Sequence, residues 1–419
     1  MVKLKINPKL TQLIEIIGRE CKRLKINAYL VGGPVRDLFL GESNIDLDIV
    51  LDKDVRIAIP HLAKRFSANY VYQEKFKTAK LFLRDLHIDI ATMREEYYPS
   101  VGSLPQIKIV SSIKKDLFRR DFTINAMALK INGEGFSDLI DPFKGLEDLE
   151  NKRIRVIHKR SFLDDPTRII RAIRFASRFD FSIAKDTLKW LREAVSRGVF
   201  SKISSVRIGN EIIRLLQEKQ PFKGIKKIQK LCGLKIIHPD IKFKEEWNKY
   251  FLQLPLWIRR FESKTSQHLE SWLVYFIFIT DALDKSELQR LCMQYELDRH
   301  KRFAVLHTFK LRGIKREKLL VSKYSELFNL LKPIIPESII YLIIGTKNSF
   351  LKKKLFNFLI KFYEVKIHTD GETLKEMGFS PGPIFNKILE ALFLAKLDGI
   401  VSTAKEEEAF IRNNFTFRR

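Results

Sequence analysis

Cysteine is scarce in this 419-residue chain, and its three cysteines, Cys21, Cys232 and Cys292, lie far apart. Their spacing gives neither a disulfide framework nor a metal-ligand pattern, so a reducing compartment fits the sequence. The eight histidines also lack ligand spacing to one another or to a cysteine. The sequence therefore offers no metal site built from cysteine and histidine.

Long apolar stretches are missing as well. The longest, residues 272–279, is too short to span a bilayer and predicts a core helix. The first ten residues, MVKLKINPKL, have no apolar signal core. These features predict a cytoplasmic protein without a membrane partner. The chain also shows no internal repeat and no low-complexity linker.

Acidic residues are few relative to basic ones. The chain has 50 Asp and Glu against 77 Lys and Arg, which gives a formal net charge of +27 and a pI near 9.8. Such an excess implies a polyanionic partner, and RNA, DNA or an anionic membrane surface would fit the charge alone.

The hydrophobic fraction of 45% suffices for a buried core and suggests two to four domains.

A glycine pair stands in the most informative stretch, residues 28–51. The apolar run 28–31 predicts a buried strand, and residues 35–40 predict a short helix. Gly32 and Gly33 between them would let the backbone approach a ligand closely, because glycine has no Cβ. The helix amides would then face that ligand, which favours a phosphate.

Two carboxylates follow on a predicted strand. Asp46 and Asp48 alternate with Ile45, Leu47 and Ile49, which is the period of a strand, so both carboxylates point to one face. Two such charges repel unless a cation lies between them, and Mg²⁺ is the usual cation when phosphate oxygens complete its coordination. The alternative is a solvated acidic edge, but the glycine turn just upstream favours the metal site.

A further acid and a loop come next. Asp89 lies between Ile88 and Ile90 in a predicted strand, where it is either a third acid of the metal site or a capped structural carboxylate. Residues 92–108 predict a loop, because Pro99, Gly102 and Pro105 interrupt them.

An arginine pair lies in the segment RRDFTINAMA. Arg119 and Arg120 supply bidentate donors that suit a phosphate, and Asn125 could cap a turn or bond a sugar.

An acid–arginine pair opens the predicted helix of residues 162–181. Asp165 and Arg168 are three positions apart, and Arg171 and Arg174 continue the basic stripe. The structural interpretation is a solvated ion pair. The functional interpretation is that the pair selects the base of the nucleotide. Cytosine and adenine both present an amino donor beside a ring-nitrogen acceptor, and a carboxylate and a guanidinium match these two groups. Uracil and guanine would leave the carboxylate facing a carbonyl oxygen.

Taken in order, these motifs resemble those of class II tRNA nucleotidyltransferases and bacterial poly(A) polymerases. The resemblance covers residues 29–216, including a hinge motif at 137–149 and a neck-helix motif at 203–216. It departs from the family at Asp164, where the usual residue is Glu, and at Val206, where a Glu is commoner. Arg207 and Glu211, four positions apart in that motif, are expected to support the nucleotide-reading helix or to be purely structural.

The resemblance implies an α+β fold with a nucleotidyltransferase-type head around a small mixed β-sheet, followed by an all-helical neck, body and tail. The expected domains are a catalytic head (1–150), a base-recognition neck (151–235), a body (236–365) and a tRNA-binding tail (366–419).

The implied reaction is attack of an RNA 3′-hydroxyl on the α-phosphate of ATP or CTP, with release of pyrophosphate. Two Mg²⁺ would be held by Asp46 and Asp48, with Asp89 as a third acid. The expected nucleotide-binding residues comprise the glycine turn, the basic residues of three motifs and two polar side chains: Gly32, Gly33, Arg36, Arg119, Arg120, Asn125, Asp165, Arg168, Arg171 and Arg174.

CCA addition to tRNA is the main expectation, with tRNA, ATP and CTP as partners and no protein partner predicted. Addition of the terminal A alone and poly(A) polymerisation remain open, because the three activities share an active site. The length of the 92–108 loop argues against an enzyme restricted to CC. A tRNA-binding protein with an inactive head is a further alternative, which the intact carboxylates disfavour.

Overall fold

The computed structural model describes residues 8–42, 47–84 and 86–415. Contacts divide the chain into two compact units. The first comprises Met1–Glu211 with Lys230–Cys232, and the second comprises Ile212–Gln229 with Gly233–Arg419. The architecture is α+β, with a mixed sheet in the first unit and a largely helical second unit. The finer division into head, neck, body and tail stays a prediction.

The first unit contains both strands and helices. Its strands are β1 (Ala28–Val31), β2 (Leu47–Leu51), β3 (Asn69–Gln73), β4 (Thr78–Phe82), β5 (His87–Thr92), β6 (Arg94–Tyr97), β7 (Gln106–Ile109), β8 (Ala128–Asn132), β9 (Gly135–Ile140), β10 (Arg153–Ile154) and β11 (Ser182–Ile183). Its helices are α1 (Pro8–Arg23), α2 (Gly33–Phe39), α3 (Val55–Phe66), α4 (Ile113–Phe118), α5 (Gly145–Glu150), α6 (Ser161–Asp164), α7 (Thr167–Arg178) and α8 (Lys185–Ser196), while α9 (Ser205–Leu216) continues into the second unit.

Seven of the described strands form one mixed sheet in the order β3-β4-β5-β2-β1-β8-β9. β2 and β5 run parallel, and the other neighbours are antiparallel. Helix α1 packs on β8 and β9, α3 packs on β3, β4 and β5, and the two helices contact each other. The predicted strands at 28–31 and around Asp89 are confirmed.

The prediction of a loop over residues 92–108 was wrong in part, because strands flank the irregular stretch 98–105. β6 and β7 form an antiparallel hairpin, with Arg94 opposite Ile109 and Tyr97 opposite Gln106. The apolar alternation that marks a strand is weak here, because the hairpin is held largely by polar contacts. Arg94 donates through Nη1 to the Phe76 carbonyl at 2.8 Å and through Nε to Glu96 at 3.2 Å.

The neck region also departs slightly from the all-helical expectation. β10 and β11 form a two-residue parallel pair, in which Ile154 lies opposite Ile183. The rest of this region is helical, and Ile169, Ile173 and Ala176 on α7 are fully buried, as their spacing predicts.

The second unit is helical throughout the residues that the structure describes. Its helices are α10 (Pro221–Leu231), α11 (Trp247–Thr265), α12 (Ser271–Ile279), α13 (Lys285–Gln294), α14 (Arg299–Arg312), α15 (Arg316–Val321), α16 (Tyr324–Leu331), α17 (Pro336–Gly345), α18 (Ser349–Glu364), α19 (Gly371–Glu376), α20 (Pro383–Asp398) and α21 (Ala404–Asn414). The apolar run 272–279 is a buried core helix, as predicted. A separate cluster around Leu374, Ile388 and Ile411 joins the last three helices.

In the described part of the chain, no single helix has the length and composition needed to cross a membrane. One pair of helices, α16 and α17, meets both criteria only when taken together, and the two are bent by 108°.

Candidate functional site

The acidic strand positions lie side by side in the central sheet. Asp48 on β2 is in register with Asp89 on the parallel neighbour β5, so the two side chains leave the sheet on the same face. Asp89 is 44% exposed and lies 3.2 Å from Lys80 Nζ and 3.6 Å from His87 Nε2. Asp46 lies outside the described residues. The two described carboxylates form an oxygen-donor set of the kind that Mg²⁺ prefers.

The glycine turn before α2 is filled by an arginine. Gly32 has φ of +78°, and a Cβ placed on it would lie 2.6 Å from Arg120 Nη1. Arg120 Nη2 lies 3.2 Å from Asp116, which is fully buried. Burial lowers the pKa of Arg120, while the charges of Asp116 and Asp48 oppose that shift. The lack of a side chain at Gly32 thus leaves room for the Arg120 guanidinium, which interacts electrostatically with Asp48 on β2.

Arg36 is an interior side chain. It is 4% exposed, and its Nε and Nη2 donate to Asp37 at 2.8 and 2.9 Å. Its Nη1 donates to Asn125 Oδ1 at 2.6 Å. The guanidinium also lies over the rings of Phe175 and Phe179, 5.3 and 4.9 Å from their centroids. The donors of Arg36 are therefore engaged within the protein, and Gly33 lies directly beside this guanidinium.

Arg119 lies between α4 and a 3₁₀ turn at Thr123–Asn125, and its side chain contacts the hairpin. Its Nη1 donates to Glu96 on β6 and its Nε donates to Asp116, both at 3.0 Å. Although burial lowers the pKa of Arg119, these two carboxylates raise it overall. Arg119 remains charged at neutral pH, and its position depends on the hairpin.

The two proposed base-reading side chains bind different partners. Asp165 lies in extended conformation between α6 and α7, and its Oδ1 accepts from Thr167 N at 3.0 Å and Thr167 Oγ1 at 2.6 Å. The same oxygen accepts from Arg207 Nη2 at 2.8 Å. Asp165 and Arg168 therefore do not form the ion pair that their spacing would allow.

Arg168 is buried and held on three sides. Its Nη1 donates to Ser161 Oγ at 2.7 Å. Its Nη2 donates to the Arg119 carbonyl at 2.8 Å and lies 3.5 Å from the Tyr98 hydroxyl. The side chain of Arg168 is thus oriented by the hairpin and by the RRD segment together.

Arg171 and Arg174 face acids of the same unit. Arg171 donates to Asp121 through Nε at 2.9 Å and through Nη2 at 2.5 Å, and its Nη1 lies 3.5 Å from Glu211. Arg174 Nε lies 3.7 Å from Glu211, which is 5% exposed. Although burial raises it, Arg171 and Asn125 lower the pKa of Asp121 to about 2.

Arg207 and Glu211, which the sequence places four positions apart on α9, contact the α7 region separately. Glu211 faces Arg171 and Arg174, whereas Arg207 reaches Asp165 and donates to the Gly102 carbonyl at 2.6 Å. Sequence reasoning missed Asp121. Its only signal was an acid directly after the arginine pair.

An open cavity of about 660 Å³ lies in the first unit among the hairpin, α4 and the segment leading into α7. Arg119 and Arg168 line it, together with Tyr98, His158 and Asp164. Gly32, Arg120 and Asp165 are not among its lining residues. The cavity is large enough for a nucleotide-sized ligand.

Elsewhere in the described residues, one group of potential metal ligands comprises His238, Asp240 and Glu287 of the second unit. Glu287 already accepts from the Asp284 amide at 2.8 Å, as part of a capping box at the start of α13. This group is therefore accounted for by local structure.

Comparison with known proteins decides the family. The model for the poly A polymerase head domain matches residues 28–155, and one described as a probable RNA and SrmB-binding site of polymerase A matches residues 180–244. A solved CCA-adding enzyme, in apo form, is 32% identical with a TM-score of 0.77, and the match covers 98% of this chain and 96% of that one. The chain belongs to the class II tRNA nucleotidyltransferase and poly(A) polymerase family.

Two curated members of this family align along nearly the whole chain, and both are A-adding tRNA nucleotidyltransferases. The enzyme of Geobacter sulfurreducens is 32% identical over 94% of the chain, which spans only 46% of that protein. The enzyme of Halalkalibacterium halodurans is 28% identical, with 97% of this chain and 93% of that protein covered.

Family members with other activities also match. A CC-adding relative and a multifunctional CCA protein align over 46% and 52% of the chain. Solved family structures include complexes with tRNA, with ATP and with CTP.

Proposed function

We propose that this protein adds the terminal A to the 3′ end of tRNA that already ends in CC, using ATP and releasing pyrophosphate. The observation that carries the proposal is the alignment of two A-adding enzymes with 94% and 97% of the chain. CCA addition was the main expectation from the sequence, and the A-adding alternative now has the better support. A cytoplasmic location, expected from the scarce cysteines, belongs to the same proposal.

The proposed reaction centre is the acidic face of the central sheet. Asp46, Asp48 and Asp89 would hold Mg²⁺, which supplies activation of the RNA hydroxyl and stabilisation of the leaving oxygen. Asp48 and Asp89 fit this role because their strands are in register and both are oxygen donors. Arg120, packed against Gly32 near the Asp48 charge, is the side chain best placed to bind the triphosphate.

Base selection is assigned to Asp165 and Arg168. The three hydrogen bonds that Asp165 accepts all go to Oδ1, which leaves Oδ2 to accept the amino group of adenine. Arg168 supplies the cationic donor, because it lines the cavity even though its Nη1 and Nη2 also donate to Ser161 and the Arg119 carbonyl. A base with a carbonyl oxygen in place of the amino group would face the carboxylate without a hydrogen bond, which disfavours UTP and GTP.

Arg36, Asn125, Arg171 and Arg174 take a different role in this proposal from the one expected from sequence. Their contacts within the protein support an indirect contribution, in which they hold the turn and α7 in position. A Cβ on Gly33 would lie 3.4 Å from Arg36 Nη2, which is an ordinary contact, so the guanidinium does not require a glycine at this position.

CCA addition is the second candidate, because the solved CCA-adding enzyme matches the chain over 98% of its length at 32% identity. The two activities are distinguished by incorporation on three transcripts of one tRNA, which end in the discriminator base, in C and in CC. Each receives CTP, ATP or both, and the products are sized on a gel.

A single A added only to the CC end would support the proposal. Full CCA on the transcript that ends in the discriminator base would replace it with CCA addition. Long ladders of A on any end would indicate a poly(A) polymerase, and no product with Mg²⁺ present would refute all three activities.

A further inference from the structure

Phe118, at the end of α4, presents an aromatic ring to the cavity. Its side chain lines the cavity and is 49% exposed, so part of the ring is accessible to a ligand. The residue directly precedes Arg119, whose contacts with Glu96 and Asp116 fix the backbone there. The ring is therefore held at the cavity wall by a rigid segment.

Two further rings support Phe118 from within the protein. The His158 ring stacks on it with centroids 5.0 Å apart and an interplanar angle of 25°, and the Phe143 ring packs at 5.9 Å and 48°. Burial and the Arg168 charge lower the pKa of His158, so the imidazole beneath Phe118 is neutral at pH 7. The result is an uncharged, preoriented aromatic surface.

The surroundings of this surface are basic. Six Lys and Arg side chains line the cavity, against three acids. The acids are matched by cations: Glu95 lies 2.9 Å from Lys115, and Asp164 lies 3.6 Å from Arg160. Lys108 and Lys159 add positive charge at the same wall. An exposed aromatic ring among basic side chains is the arrangement that binds single-stranded nucleic acid.

We propose that Phe118, backed by His158, is a stacking platform for a nucleobase at the 3′ end of the acceptor RNA. This inference rests on the proposed function. Of the residues assigned to the incoming nucleotide, Arg168 lines the cavity, whereas Arg120, Asp165 and Asp48 do not, so most of the cavity wall lies away from that nucleotide and favours the RNA. The part of the cavity beyond Arg119 and Arg168 is thus available to a second nucleotide, which is the 3′-terminal nucleotide of the acceptor RNA.

The test compares Phe118→Leu, which keeps apolar bulk but removes the ring, with Phe118→Trp, which enlarges it. KM is measured separately for the CC-ended tRNA and for ATP. Because stacking on an aromatic side chain contributes strongly per base, we expect Phe118→Leu to raise KM for the RNA about 5- to 150-fold. We expect KM for ATP to stay within about twofold, and Phe118→Trp to bind RNA at least as tightly as the wild type.

Phe303→Leu is the matched control. Phe303 on α14 is also 49% exposed and stacks on a histidine, His307, with centroids 6.2 Å apart and an interplanar angle of 27°. It does not line the cavity. This substitution should leave both KM values unchanged.

Three outcomes would overturn the inference. They are an unchanged KM for RNA in Phe118→Leu, a rise in that variant confined to KM for ATP, and an equal rise in KM for RNA in Phe118→Leu and Phe118→Trp. The melting temperature of each variant identifies a folding defect. If the wild type incorporates no nucleotide, the proposed function fails, but the platform is still tested. In that case RNA binding must quench tryptophan emission of Phe118→Trp more than that of the wild type, and equal quenching would refute the platform.

Discussion

Replacing Arg207 with Met tests whether the hairpin is coupled to Asp165, the carboxylate proposed to select the base. Arg207 donates to Asp165 Oδ1 at 2.8 Å and to the Gly102 carbonyl at the tip of the hairpin at 2.6 Å. Met keeps the length of the side chain but removes both hydrogen bonds. The change therefore releases Asp165 and the hairpin tip together, without leaving a large cavity.

The expected magnitude follows from the burial of this pair. The Arg207 and Asp165 side chains are 24% and 19% exposed, so solvent screens their interaction only partly. A hydrogen bond to a charged group contributes about 1.5–3 kcal/mol when it is protected in this way. A loss of about 2 kcal/mol in positioning Asp165 corresponds to about a 30-fold fall in kcat/KM for ATP.

The assay is single-nucleotide incorporation on a CC-ended tRNA, with ATP and UTP compared at matched concentrations. We expect kcat/KM to fall for ATP and to change little for UTP, so that the preference for ATP narrows. Limited proteolysis should cut residues 98–105 faster in the variant. Arg192→Met is the control, because Arg192 on α8 is exposed and has no described contact with the site.

Wild-type selectivity in Arg207→Met would refute the coupling, even if the protein were less stable. An equal fall for ATP and UTP would show that Arg207 only maintains the fold. Arg207→Lys provides a further check: it keeps the charge but loses the forked geometry, so its selectivity should lie between those of the wild type and the Met variant.

Three other predictions follow from the contacts described. Asp48→Ala should abolish incorporation while RNA binding, measured by gel shift, is retained; near-normal turnover would remove Asp48 from the metal site. Gly102→Ala should lower the melting temperature, because Gly102 has φ of +73° and a Cβ there would lie 2.7 Å from the Lys202 carbonyl oxygen; an unchanged melting temperature would contradict this. Although burial raises it, hydrogen bonds from Lys396 and His368 lower the pKa of Glu407 from 4.5 to about 2. Its stabilising contribution is present above pH 4.5 and is lost as the pH falls towards 2, so urea titrations should show a shallower acid-side loss for Glu407→Gln than for the wild type.

Regular elements of the first unit were predictable because their patterns are strong. The apolar run 28–31 and the alternation around Asp89 gave strands at the right places. The hairpin of β6 and β7 was missed because REEY is mostly polar and QIKI alternates over only four residues. Their partners, such as Arg119 and Lys115, come from elsewhere in the chain. A local pattern contains no information about such partners.

The site residues divide in the same way. The sequence placed Asp48 and Asp89 on strands, and the register of β2 and β5 brings them together, while their role in a metal site stays a prediction. The burial of Arg36 was not predictable, because its cost is offset by Asp37, Asn125 and two rings on a distant helix. An arginine in a motif thus has the same sequence signal whether it binds a ligand or supports the fold.

The neighbouring carboxylates of β2 and β5 bear on how the sequence of this protein can evolve. Their spacing is set by main-chain hydrogen bonds between two parallel strands, which any pair of strand-forming sequences can make. Most side chains around them can therefore be replaced one at a time without separating the acids. Such a centre allows wide sequence drift in the surrounding layers, while the chemistry depends on a few fixed positions.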